Sequence, residues 1–220
     1  MLLPGKQRSK LDETEDRLFY EYPRFVTHVD EGFIDRLRGL YSDRLSDNSR
    51  VLDLMSSWVS HLPDDRKFSH VEGHGMNEEE LARNRQLNHY FVQDLNKDPK
   101  LPLGDREFDA VLICVSVQYL QYPEAVFSEI HRVLKPGGMV IVSFSNRMFF
   151  QKAIAAWRDG TEPQRVKLVE SYFNSVRSGE LPGFSVPEVI INQSSVPPVL
   201  QMLGLGGGDP FYAVIAHRQI

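Results

Sequence analysis

The stretch FDAVLICVSVQYLQYPEAVFSEIHRVLKPGGMVIVSFS, residues 108–145, constrains the fold of this chain more than any other. Residues 108–117 are almost continuously apolar, which suits a strand covered on both faces. Residues 122–135 then place Val126, Phe127, Ile130, Val133 and Leu134 on one side of a helix. The PGG that follows stops that helix, and residues 139–145 form another apolar strand. Strand, helix and strand in immediate succession call for a parallel pair joined by a right-handed crossover, the unit of an α/β domain.

The same alternation runs upstream. Residues 50–54 and 67–73 read as strands, and residues 89–95 as a third. Asp30 is placed to cap a helix carrying Phe33, Ile34, Leu37, Leu40 and Tyr41 inward. Asn77 is placed to cap another, whose first turn holds Glu78, Glu79 and Glu80. Past residue 146 the rhythm changes: residues 149–160 and 163–176 read as helices, and residues 186–193 and 210–217 as late strands at one edge of the sheet. The predicted organisation is a loose polar N-terminal arm over residues 1–18, followed by one domain over residues 19–220. Within that domain, residues 19–48 form a lid segment and helix, 49–145 the core, 146–185 a helical insertion and 186–220 the C-terminal strands.

Composition narrows the function classes. A formal net charge of −5 argues against nucleic acid as a main partner. No apolar run approaches the ~20 residues of a membrane span. Cys114 is the single cysteine, so an intrachain disulfide is excluded and a reducing compartment is expected. The N-terminus MLLPGKQRSK lacks the apolar core of a secretory signal; the expected location is the cytoplasm, or an organelle after removal of a transit peptide.

Residues 108–147, with RVLDL at 50–54 and Asp94 before a Leu-Pro-containing loop, closely resemble class I S-adenosylmethionine-dependent methyltransferases of the small-molecule, type 11-like kind. The resemblance covers roughly residues 49–147 and extends weakly to DPFYAVIAH. It implies a Rossmann-like fold: a mostly parallel seven-stranded sheet, helices on both faces and an antiparallel last strand. It also implies S-adenosylmethionine as cofactor, bound outside the carboxyl ends of the strands, and a small-molecule acceptor.

Carried across position by position, the resemblance assigns Asp53 to the cofactor's methionine part, or else to capping the next turn. The loop after it departs from the family. Met55, Ser56, Ser57, Trp58 and Val59 stand where glycines normally let the backbone approach a ligand. Two readings are open: Ser56 and Ser57 still allow contact with the cofactor, or Met55 and Trp58 fill the old pocket. A second departure is Gly75, where the family has an acidic residue for the ribose hydroxyls; Asn77 or the backbone around Met76 are the candidate substitutes. Asp94, with Gln93 and Leu95, matches the adenine site, with loop capping as its alternative role. Val115 and Ser116 fall at the reaction centre.

Methyl transfer needs alignment more than one catalytic side chain. His28 and Tyr119 are the candidate bases and Asn146 a candidate orienting group, each with a structural role as the alternative. Tyr20, Tyr22, Phe25 and Thr27 would form a lid or pack on the sheet edge. The apolar and aromatic content of 19–30 and 146–185 hints at a partly hydrophobic acceptor. His70 and His74 share a strand face without a third ligand, so no metal is expected. LGLGGGDP, residues 203–210, lacks the helix and Lys-Ser/Thr of a phosphate loop and reads as a flexible connection. Cys114 reads as an inert core residue. Two alternatives accompany the enzyme reading. One is a catalytically silent methyltransferase-like binding protein that has lost the cofactor loop. The other is a nucleotide-binding oxidoreductase, against which the missing G-x-G-x-x-G counts.

Overall fold

In the computed structural model, which describes residues 2–192 and 208–219, five parallel strands make the core of one sheet. They are β1 (Arg50–Asp53), β2 (His70–Gly75), β3 (His89–Val92), β4 (Phe108–Cys114) and β5 (Leu134–Phe144). A small hairpin of β6 (Arg177–Ser178) and β7 (Leu181–Pro182) stands apart, and β8 (Glu188–Asn192) and β9 (Phe211–His217) then extend the sheet beyond β5. The order is β3-β2-β1-β4-β5-β9-β8, with β9 antiparallel to both neighbours. This is the predicted mostly parallel seven-stranded sheet with an antiparallel last strand. The chain reverses its direction of winding between β1 and β4, which opens a crevice at their carboxyl ends.

The alternation of side chains along each strand separates two cores. Leu52, Val111, Ile113, Val140 and Val142 point to one face, where α5 (Pro123–Val133) and α7 (Glu162–Asn174) cover them. There Phe127 meets Tyr172 and Phe173 edge-on at 5.5 and 5.0 Å. Val51, Ala110, Leu112 and Ile141 point to the other face, against Phe33, Ile34, Leu37 and Tyr41 of α3 (Glu31–Arg44). Asp30 caps α3 by accepting from the Phe33 N–H at 2.8 Å, as its position predicts. Asn77 likewise caps α4 (Glu78–Arg83), accepting from the Glu80 N–H at 2.9 Å.

Several expectations are corrected. Residues 2–18 are docked, with short helices α1 (Gly5–Arg8) and α2 (Asp16–Phe19), because their charges find partners on the body. Arg8 donates to the Leu3 and Gln121 carbonyls and pairs with Glu124 at 2.6 Å. Lys152, fully buried, donates to the Thr14 carbonyl at 2.7 Å and pairs with Asp12 at 3.1 Å and Asp16 at 3.4 Å. Residues 149–160 contain only the short α6 (Ala155–Arg158), since the backbone there bonds elsewhere. The Phe149 N–H donates to the Tyr119 hydroxyl and the Ala155 N–H to the Ser9 carbonyl. β2 starts three residues later than expected and runs on through Gly75, and β3 ends at Val92. The PGG lies within β5, where the pairing with β4 slips between Phe108 and Ala110. Of the glycine-rich stretch, residues 203–207 lie outside the described residues, as does Gln193 of the expected late strand. No helix among the described residues is long and apolar enough to cross a membrane.

Candidate active site

The crevice at the carboxyl ends of β1 to β4 holds a cavity of about 150 Å³, roofed by residues of the N-terminal segment from Asp16 to Val29. Asp53, Met55, Ser56, Ser57, Gly75, Met76, Asn77, Gln93, Asp94, Leu95, Val115 and Ser116 all line it, and so do His28 and Tyr119. Asn146 does not; it lies exposed on the turn after β5. Of the expected lid residues, Tyr20 and Thr27 face the cavity. Tyr22 is 74% exposed, and Phe25 packs edge-on against Trp58 at 6.4 Å.

The loop after β1 is fastened to the end of β2. The Ser56 N–H donates to the His74 carbonyl at 2.6 Å, and the Met55 N–H donates to His74 Nδ1 at 3.1 Å. His74 Nε2 in turn donates to the Gln93 carbonyl at 3.0 Å, so the ring spans β1, β2 and β3. Burial pushes its pKa down to about 4, which keeps it neutral. With both nitrogens engaged it is no metal ligand. His70 pairs with Glu72 at 2.8 Å instead, and no group of three His, Cys, Asp or Glu among the described residues is arranged for a metal. A β-carbon on Gly75 would stand 2.6 Å from the Ser56 carbonyl oxygen. The loop therefore passes through the space a side chain at 75 would need.

Three backbone positions here are unusual. Met55 has φ +60°, His61 φ +55° and Val115 φ +49°, the left-handed region where glycine is at ease and a β-branched residue is a genuine outlier. Val115 is held by its N–H donating to the Ser143 carbonyl at 2.8 Å, while the Gln118 amide donates to the Val115 carbonyl at 2.9 Å. Strain of this kind, costing about 1–3 kcal/mol per residue, is concentrated at functional sites.

The lid is tied down by side chains, two of which, Glu80 and Asn96, sequence reasoning passed over. Trp58 turns its indole N–H to the Val26 carbonyl at 3.1 Å, so it forms a wall and a latch. Glu80, buried on α4, accepts from the Ser57 hydroxyl and from the Arg24 N–H, both at 2.6 Å. It reads in sequence as one of three helix-dipole acids; only its place one turn after the Asn77 cap distinguishes it. Asn77 also donates to the Tyr20 and Glu21 carbonyls, which leaves its amide no free donor role toward a ligand. Asn96 donates to Asp16 at 3.0 Å and to the Tyr119 carbonyl at 3.0 Å, and accepts from the Gln121 N–H. No motif marks it.

Burial sets the chemistry of the wall. It pushes the Asp53 carboxyl up to about 6, against the opposing hydrogen bond from the Ser56 hydroxyl at 2.5 Å. It pushes the Tyr119 phenol up to about 12 and holds His28, edge-on to Phe149 at 5.1 Å, below the ordinary histidine value. Cys114, expected in the core, lines the cavity instead, with its thiol pushed up to about 12 by burial. Asp94 accepts from the Asn96 N–H at 3.0 Å, so it caps its loop and faces the cavity at once. Gln93 spends its amide on the Asp98 and Lys100 carbonyls. The Ser116 hydroxyl and His61 Nδ1 face the cavity walls buried and without a protein partner.

Comparison with known proteins matches residues 56–142 to the methyltransferase domain family. A malonyl-acyl-carrier-protein O-methyltransferase from Marinomonas sp. (strain MWYL1) is 30% identical over 96 residues, 42% of this chain. The match spans about a third (34%) of that relative's length. Among solved structures, the 4+2 cyclase SpnF superposes with a TM-score of 0.59 at 19% identity, covering 84% of this chain and 81% of the cyclase. An S-adenosylmethionine-dependent methyltransferase from Mesorhizobium loti superposes at 0.53 with 18% identity, covering 82% and 96%. These structural likenesses establish the fold. A cyclase among them is a reminder that the fold alone does not fix the reaction.

Proposed function

We propose that this protein, which has the class I S-adenosylmethionine-dependent methyltransferase fold, binds that cofactor in the switch-point cavity and methylates a small-molecule acceptor. The observation that carries this reading is that every residue assigned to the cofactor by resemblance lines one cavity. The match of residues 56–142 to the methyltransferase domain family supports it independently.

The donor set suits the cofactor. Asp53 and Asp94 offer carboxylates to its ammonium and adenine amino groups, and the unpartnered Ser116 hydroxyl and His61 nitrogen suit its polar oxygens. When bound, S-adenosylmethionine supplies an electrophilic methyl carbon, and the C–S bonding pair returns to sulfur as the acceptor's lone pair arrives. The protein's part is alignment and exclusion of water. The latched segment from Asp16 to Val29 covers the cavity, and the Tyr119 ring, stacked on Phe149 at 5.9 Å, stiffens its wall. A phenol with a pKa of about 12 keeps its proton, so Tyr119 positions rather than deprotonates. His28 is neutral at pH 7 and lines the cavity, where it can take the proton of a neutral acceptor.

Equilibrium binding of S-adenosylmethionine and S-adenosylhomocysteine tests this. Micromolar affinity, weakened at least about tenfold (about 1.4 kcal/mol) in Asp94→Ala, is the expected result. Absence of binding at millimolar ligand, by calorimetry and thermal shift together, rejects it.

A further inference from the structure

The cavity wall holds four carboxylates and a single lysine or arginine side chain, Arg24. Each carboxylate is already served by donors from the protein. Asp53 has the Ser56 hydroxyl, Asp94 the Asn96 N–H, Glu80 the Ser57 hydroxyl and the Arg24 N–H, and Asp16 the ammonium of Lys10 at 2.5 Å. Arg24 is the converse. Among the described residues no carboxylate lies within ion-pair distance of its guanidinium, which donates one bond, from Nη2 to the Phe19 carbonyl at 2.8 Å. A guanidinium has five N–H donors in a rigid fork, so most of this one's capacity is unspent.

Its orientation is fixed by aromatic rings. The guanidinium carbon lies 4.5 Å from the Phe19 ring centre and 5.4 Å from that of Phe149. Such stacking holds the plane of the fork while leaving its edges for a planar anion. Tyr20, Tyr119 and Phe149 line the cavity beside it, flat surfaces for an apolar or aromatic body, and neutral His28 belongs to the same wall.

We propose that Arg24 is the recognition group for the acceptor, and that the acceptor is a small carboxylic acid with an apolar or aromatic body. This rests on the methyltransferase reading of the cavity and names its substrate class. The carboxylate pairs with the guanidinium fork, and the ring or chain lies along Tyr119 and Phe149. Changing this side chain also removes its bond to the Phe19 carbonyl, while Glu80 still holds Arg24 through its backbone N–H, so acid and amide are compared within each variant.

The test uses the full chain and two probes of the same shape, 3-phenylpropanoate and 3-phenylpropanamide, which differ in charge and in one acceptor replaced by a donor. Their binding is followed by saturation-transfer NMR with and without S-adenosylhomocysteine. S-adenosylhomocysteine affinity is measured first, on the wild type, Arg24→Gln and Arg24→Lys. Its absence counts against the methyltransferase reading, whereas the acid–amide comparison without cofactor bears on Arg24 separately. The expected result is acid binding at least about tenfold tighter than amide binding, as befits a charge-assisted forked pair. That preference should be lost in Arg24→Gln and only partly kept in Arg24→Lys, read as the ratio of acid to amide binding within each protein. Equal binding of acid and amide, acid binding that survives Arg24→Gln, or no acid binding at all overturns the proposal.

Discussion

The Ser56 carbonyl oxygen stands 2.6 Å from the point a β-carbon on Gly75 would occupy. Real β-carbons do not approach backbone oxygen so closely, so the glycine-free loop after β1 and the glycine at the end of β2 depend on one another. Gly75→Ala should therefore push the loop off β2, break the Ser56 N–H to His74 bond and cost about 2 kcal/mol by overpacking. Urea unfolding reads the stability, and calorimetry with S-adenosylmethionine should show weakened binding. Gly75→Asp, which supplies the family's missing carboxylate, should bind the cofactor no better than Gly75→Ala. A gain would show that the loop does not need the space.

Asp53 is buried at the carboxyl end of β1 with its carboxyl pushed up to about 6. The folded protein holds that proton more tightly than the unfolded chain. The resulting stabilisation is present below about pH 4 and is lost as pH rises through about 6. Asp53→Asn removes this cost while keeping an acceptor for the Ser56 hydroxyl. The ligand-free variant should be more stable than wild type at pH 7 by something of the order of 2 kcal/mol, and the gap should close near pH 4. Cofactor affinity should move the opposite way, falling in the variant. In the wild type it should fall as pH drops below about 6, where the carboxylate proposed to meet the cofactor's ammonium is protonated. Parallel denaturation and calorimetry series across this range check both signs.

Lys152 is fully buried between Asp12, Thr14 and Asp16. Removing the ammonium leaves the Thr14 carbonyl without its donor and Asp16 with Lys10 as its ion-pair partner, at a cost of about 2 kcal/mol. Lys152→Met should destabilise the protein by an amount of that order and expose residues 2–18 to proteolysis, because the arm loses its anchor. Asp16 also carries the bond to Asn96, so cofactor affinity should weaken alongside. Intact arm protection in this variant, read by limited proteolysis and mass spectrometry, would place the anchoring elsewhere, at Arg8.

Much of this was legible in the sequence, for identifiable reasons. The helix faces of Phe33, Leu37 and Tyr41 and of Val126, Phe127 and Ile130 follow from period, and the caps Asp30 and Asn77 follow from local chemistry. The residues that the resemblance assigns to the cofactor share one cavity because the strand order brings their strand ends together. What escaped were contacts set by partners far along the chain. Glu80 meets Arg24 across 56 residues and Lys152 meets Thr14 across 138, and neither separation leaves a local signature. The expected helix over 149–160 is interrupted for the same reason, the N–H groups of Phe149, Ile154 and Ala155 donating to Tyr119, Gln118 and Ser9 outside the segment. Asn146 sits just past β5 as expected of a rim residue, but the chain turns outward there.

Trp58 decides between the two readings of the loop, because they predict opposite signs. Its indole N–H is spent on the Val26 carbonyl and its ring meets Phe25 edge-on, so it holds the lid from the side. Trp58→Ala should then loosen the segment from Phe25 to Val29, raise its cleavage in limited proteolysis and weaken cofactor binding several-fold, mainly through faster dissociation. Trp58→Phe keeps the wall and the aromatic contact but loses one hydrogen bond worth about 1 kcal/mol, and should show a smaller effect in the same direction. If the indole filled the cofactor's space, Trp58→Ala would instead open room and tighten binding. Stopped-flow dissociation of S-adenosylhomocysteine from the three proteins distinguishes a latch from a plug by sign alone.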